Sequence, residues 1–230
     1  MNVRGDLVSR VLIILVIFLE VAHFALSESG LPIARLFDLD AEAGLGTWVS
    51  SALAFTATAL AVLASIEARS RQLSGWYWWA LLGLALLALS VDEVAQVHEA
   101  VAVRVGADLR TEEGAMMGGT PLLGIALSPA LVVGPIALWR IGAPEARTLI
   151  VLGLWVFWIG AFGVEELEFR NFEGTRFFTQ SMTREAGDFL LVGTQEVLEL
   201  TGISLIFAGL LRQLNTQDAV VQFGSVSDSA

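Results

Sequence analysis

The stretch Trp76 to Arg104 reads WYWWALLGLALLALSVDEVAQVHEAVAVR and decides how the rest of the chain is read. An uncharged apolar run passes into Asp92, Glu93, His98 and Glu99 with no helix breaker between. Its apolar part is long enough to cross a bilayer, which takes about 20 mostly apolar residues. Carboxylates and an imidazole near the end of such a segment are expensive to bury, so they mark a functional site by default. Trp76, Trp78 and Trp79, with Tyr77, read as an interfacial aromatic belt at its start.

The whole chain matches this reading. It has 230 residues, 55% of them hydrophobic, with mean hydropathy +0.70. That balance fits a multi-span membrane protein rather than a soluble domain. The 13 basic residues are all arginine and stand against 24 acidic ones, for a formal charge of -11. An acidic, lysine-free chain offers no basic patch for nucleic acid and no polybasic segment for anionic lipid. Cysteine is absent, which excludes disulfides and thiolate metal ligands. The alanine-rich, lysine-free composition points to a GC-rich bacterium and hence to a prokaryotic plasma (inner) membrane.

Six apolar segments are long enough to span: Val11–Leu26, Trp48–Ile66, Trp76–Val97, Pro121–Trp139, Thr148–Glu168 and Phe189–Leu211. The expected fold is an all-α, six-span transmembrane helical bundle over residues 1–215, with a polar C-terminal tail at 216–230. The first segment resembles a secretory signal, but Glu20 and His23 interrupt its apolar region, so it is read as a retained span. Arg4, Arg10, Arg69, Arg71, Arg140, Arg147 and Arg212 fall on one side. Arg35, Arg104, Arg110, Arg170, Arg176 and Arg184 fall on the other, many beside acids. The first side is taken as the cytoplasm, with both termini there. Pro129 and Pro135 predict a kink in the fourth span. The loop Glu28 to Gly46 reads as an ordinary packed loop, with a short interfacial helix near Pro32 as the alternative. The loops Ala107 to Thr120 and Asn171 to Gly187 read as flexible and as a cavity cover or interfacial dip, respectively.

Depth follows from a rise of about 1.5 Å per residue across a core of about 30 Å. Asp92 and Glu165 then lie roughly 24 Å from the inner face, and Glu20 and His23 about 14 and 18 Å from it. Glu196 and Glu199 come about 10 and 15 Å below the outer surface. All occupy the middle or outer half, and the inner half is clean. Six such groups facing lipid would cost on the order of 15–20 kcal/mol, more than a typical domain's whole stability. They must face one another, water or a cation.

A carboxylate and imidazole cluster suits a divalent ion such as Zn, Mn or Fe. The candidate ligands are Glu20, His23, Asp92, Glu93, His98, Glu99, Glu165, Glu196 and Glu199. Glu20 and His23 form a Glu-x-x-His step, but Ala95 three before His98 breaks a second copy, so a ferritin-like di-iron site is disfavoured. For His23 a hydrogen-bonded core residue outweighs a ligand, and for His98 the two readings are even. For Asp92, Glu93, Glu196 and Glu199 the functional reading leads. No nucleophile motif, phosphate loop or dinucleotide fingerprint is present. Three functions follow: metal-dependent catalysis on a lipid-phase or periplasmic substrate, a proton or cation pathway, or a non-catalytic subunit of a membrane complex with its acids as helix–helix glue. The partners are the bilayer and, as an option, a second copy or a membrane-complex subunit.

The block Leu89-Ser-Val-Asp92-Glu93-Val-Ala-Gln-Val-His98-Glu99 resembles a segment of uncharacterised multi-pass prokaryotic membrane proteins. That family carries L-S-x-D-E-x4-H-E, then G-A-x-G-x-E, then E-E-x-x-E-M-x-G. The second is matched here by Gly160-Ala-Phe-Gly163-Val-Glu165 and the third by Gln195-Glu196-Val-Leu-Glu199-Leu-Thr-Gly202. Gln195 and Leu200 depart from the pattern's Glu and Met. The resemblance implies that Asp92, Glu93, His98, Glu99, Glu165, Glu196 and Glu199 belong to one site, and it implies no activity.

Overall fold

The computed structural model describes residues 3–26, 37, 44–95, 97, 132–164, 167 and 184–216. Within these the chain is helical, with no strand. The helices are α1 (Val3–Leu26), α2 (Leu45–Ser70), α3 (Trp76–Ala95), α4 (Val132–Ile141), α5 (Pro144–Trp158) and α6 (Arg184–Thr216). A π-helix, Ile159–Val164, continues α5. Among the described residues four helices are long and apolar enough to cross a membrane: α2, α3, Pro144–Val164 and Leu190–Thr216. The expectations for the loops at 107–120 and 171–183, for Pro129, for most of 28–46 and for the tail beyond 216 lie outside the described residues, whereas 184–187, expected as the end of a loop, form the first turn of α6. Pro135 is buried near the start of the described part of α4.

In hydrocarbon no hydrophobic force joins helices, so they gain by close van der Waals approach through small residues. Helix α2 shows this. Thr47, Ser50, Ala54, Ala57, Ala61, Ala64 and Ala68 are all buried and recur at steps of three and four. They form a narrow seam at coiled-coil spacing. Against it, α3 runs antiparallel. The Ser51 and Ser90 hydroxyls meet at 3.1 Å, and the Ser65 hydroxyl donates to the Trp76 carbonyl at 3.1 Å. Fourteen residues separate these contacts on both helices, so the pair keeps one register along its length.

The α5–α6 pair is tighter still. A Cβ added at Gly153 would lie 2.6 Å from the Gly202 carbonyl. One at Gly209 would meet the Ala146 carbonyl at 3.1 Å, and one at Gly160 the Gln195 carbonyl at 3.0 Å. These contacts step by seven residues on each helix, in opposite directions, as in a left-handed antiparallel pair. Only glycine lets the two backbones approach so closely here.

The connections share one end of the bundle. Helix α2 closes with a Schellman motif: Gln72, in the left-handed region at φ 56°, donates to the Arg69 carbonyl, and Leu73 N–H donates to the Ala68 carbonyl. In this turn Gly75, at φ 86°, abuts Ile141 of α4. Helix α5 starts at Pro144, four residues before the expected Thr148, because proline fits the first helical position and holds Ala143 extended. The Ala143 N–H donates to Gln213 Oε1 at 2.8 Å, and Gln213 is 1% exposed. The last turns of α6 thus tie down the α4–α5 turn. Helix α1 ascends along α6 as α6 descends, since Leu19 shares a small void with Leu200 while Leu12 shares a larger one with Arg212. The start of α1, both hairpin turns and the end of α6 therefore lie together.

Two substitutions test this packing. Gly202→Val is expected to lower stability by about 1–3 kcal/mol or more through overpacking against Phe157. Gly134→Ala, whose Cβ would meet nothing within 4 Å, should stay within about 0.5 kcal/mol of wild type or gain slightly. Unfolding of the purified protein by titration with a denaturing detergent reads both. In the same assay Gln213→Leu should cost about 1 kcal/mol, because the Ala143 N–H loses its acceptor.

Candidate functional site

Charge divides along the bundle. The end with the two hairpin turns holds Arg69, Arg71, Arg140, Arg147 and Arg212, with Arg10 on α1 at the same end. Several are tied there. Arg71 pairs with Glu67, Arg69 lies over the Trp76 ring at 5.0 Å, and Arg147 lies over Trp139 at 4.6 Å. Such contacts are worth about 0.5–1 kcal/mol where exposed. The opposite end holds Asp92, Glu93, Glu196, Glu199 and His23. Between them the described interior is mostly Ala, Leu, Ile and Gly, with the buried Ser204, and no described carboxylate or histidine lies there.

Helix α6 sends Glu196 and Glu199 to different neighbours. Glu199 faces α5: its Cγ would be 3.0 Å from a Cβ on Gly160, and its Oε1 accepts from Gln195 Nε2 at 3.1 Å. Gln195, where the resembling family pattern has Glu, acts here as donor to the neighbouring acid. Glu196, about 60° round the helix from Glu199, lines a void shared with Val16 and Leu19 of α1 and Gly46 and Ser50 of α2. The void measures about 10 Å³, the room of a single water-sized species. Ser50 and Gly46 stand at the outer end of the α2 seam, so the seam's small residues leave the space that Glu196 enters.

His23 belongs to the same level. Leu19 and Leu200 pack in one cluster where α1 crosses α6. Because the two helices are antiparallel, one turn onward on α1 is His23 and one turn back on α6 is Glu196. His23 is 3% exposed. On α3, Ser90 and Leu86 are buried against α2. Glu93, three and seven residues on, continues their stripe, while Asp92 lies off it. Both are partly buried.

Glu196 and Ser50 therefore line the α1–α2–α6 crevice, His23 stands at its level on α1 one turn beyond Leu19, Glu199 sits one turn lower against α5, and Asp92 and Glu93 stand across α2 on α3. His98, Glu99 and Glu165, with the side chain of Glu20, lie outside the described residues. Among the described residues no three His, Asp or Glu side chains are close enough to hold a metal ion.

The π-helix was not anticipated from the sequence. Such segments are rare and concentrate at functional sites. This one covers Ile159–Val164 and leads directly to Glu165. Gly160, buried, brings it against Gln195 and Glu199. The only local signal was the Gly-Ala-Phe-Gly run preceding an acid.

Comparison with known proteins gives a family and nothing finer. No curated protein matches the chain, and no solved structure does. The family model described as "Domain of unknown function (DUF8692)" matches residues 10–213, which take in every candidate ligand on all described helices. The chain belongs to the DUF8692 family.

Proposed function

We propose that this integral membrane protein crosses the bilayer six times, with both termini on the cytoplasmic side of a prokaryotic plasma membrane, and holds a cation in its outer half. The arginine-rich end supports the orientation, because basic residues stay on the cytoplasmic face. The observation that carries the site is the one-water-sized void beside Glu196, at the level of buried His23. Carboxylate and imidazole donors suit a borderline divalent ion, Zn, Mn or Fe. Glu196 and His23 would hold it, with Glu199 nearby and Glu165, His98, Glu99, Asp92, Glu93 and Glu20 as further candidates. A bound ion would supply Lewis acidity or an acidified water to a substrate arriving from the lipid phase or the outer side. In that setting a remaining carboxylate accepts the proton. The apolar interior between Glu199 and the arginine end favours a fixed site over a relay across the membrane.

Metal titration of purified, chelator-treated protein tests this. Wild type is expected to take up about one Zn, Mn or Fe ion per chain, as a site with protein ligands does. Glu196→Gln should weaken binding by at least about tenfold. Glu67→Gln, at the arginine end, should bind as wild type does. A wild-type protein that takes up none of the three ions contradicts the proposal, as does equal loss in the Glu67 variant.

A further inference from the structure

A second, larger cavity of about 450 Å³ lies between α1, α5 and α6. That volume is within the range of about 300–1,000 Å³ typical of ligand pockets. Its walls are mostly apolar, with Leu12 and Val16 from α1, Leu149 from α5 and Ala208 from α6. Ile13 and Ile17 of α1 also line it, and each is 57% exposed, so its rim is on the outer surface of the bundle. In a bilayer that surface meets lipid.

Two polar features break the apolar lining. Arg212 lines the cavity at the arginine end, on the last turns of α6. Ser204, two turns deeper, is 8% exposed, lines the cavity, and its Oγ has no hydrogen-bond partner among the described residues. A serine in a helix usually settles its hydroxyl on the carbonyl four residues back. Leaving a buried hydroxyl unmet costs free energy, so the position calls for an acceptor from an occupant of the cavity. Water alone would suit a more polar chamber.

A cation at the interfacial end, a hydroxyl donor below it and a hydrocarbon wall beyond match one kind of molecule. We infer that the cavity takes one acyl chain of an anionic phospholipid from the leaflet at the arginine end. The phosphate pairs with Arg212, an ester carbonyl accepts from Ser204 Oγ, and the chain runs on towards Val197. Basic pockets between membrane helices recognise anionic headgroups by this charge pairing. Val16 and Val197 also border the void beside Glu196, so the chain's far end lies next to the proposed cation site without being needed by it. The inference stands independently of that site.

Native mass spectrometry of the full chain, with phosphatidylglycerol and phosphatidylcholine supplied in equal amounts, tests it. Wild type is expected to retain one phosphatidylglycerol in preference to phosphatidylcholine. Arg212→Gln should reduce that preference about fivefold, the factor for one basic residue near an anionic headgroup. Ser204→Ala should lower retention of both lipids while keeping the preference. Ala208→Phe, which fills the cavity, should abolish retention, with helicity and monodispersity verifying the fold of each variant. Equal retention of the two lipids by wild type, no retained lipid, or retention unchanged in Ala208→Phe overturns the inference.

Discussion

The close approach of α5 to α6 through Gly153, Gly160, Gly202 and Gly209 is the constraint on which the rest of the bundle depends. Among apolar helices in lipid, the surrounding solvent is as apolar as the helices, and association has to come from contact. Glycine at the crossing points gives that contact, with backbone atoms of one helix where a Cβ of the other would stand. The alanine seam of α2 does the same for α3 and α6. Because both interfaces step by seven residues, the helices keep a fixed rotation along their length. Polar side chains on α6 are thereby aimed at fixed neighbours: Glu199 at the π-helix, Glu196 at the crevice between α1 and α2, and Ser204 at the lipid-side cavity.

The same packing separates charge. Arginines collect where the hairpin turns and the end of α6 meet, held over Trp76 and Trp139 or paired with Glu67. The carboxylates of Asp92, Glu93, Glu196 and Glu199 collect with His23 at the other end. A carboxylate inside a bilayer needs water, a partner or a cation. Among the described residues no carboxylate or histidine lies in the interior between Glu199 and the arginine end. Gln195 contributes at the acidic end in a way a glutamate would not, since its amide donates to Glu199. With Glu at that position two acids would face each other one turn apart and repel.

Much of this was legible in the sequence. The apolar runs of α2 and α3 are long and uninterrupted, and that of α6 is long despite Glu196 and Glu199, so their existence followed directly from length and hydropathy. The common depth of His23 and Glu196 came from counting residues at helical rise, and the antiparallel α1–α6 crossing agrees with it. Three features were harder to read. Helix α5 starts at Pro144, with its turn tied to Gln213 seventy residues away, and hydropathy registers neither the proline start nor the tie. The π-helix depends on Gly160 meeting α6, a tertiary contact with only a Gly-rich trace in the sequence. The rotation of α3, and with it which of Asp92 and Glu93 turns towards α2, is set by packing that hydropathy does not register. The buried stripe through Leu86 and Ser90 fixes the rotation of α3, and Glu93 falls on it.

The central claim is that α1 brings His23 opposite Glu196 at the end of the bundle away from the arginines. The chain has no native cysteine, so introduced pairs report proximity without background. The direct measurement is oxidative cross-linking of a His23→Cys/Glu196→Cys double variant in membranes, beside His23→Cys/Arg212→Cys. Disulfides form only when the Cα atoms come within about 7 Å. The account predicts an intramolecular cross-link in the first pair and none in the second. A cross-link between positions 23 and 212, or none between 23 and 196, would contradict it.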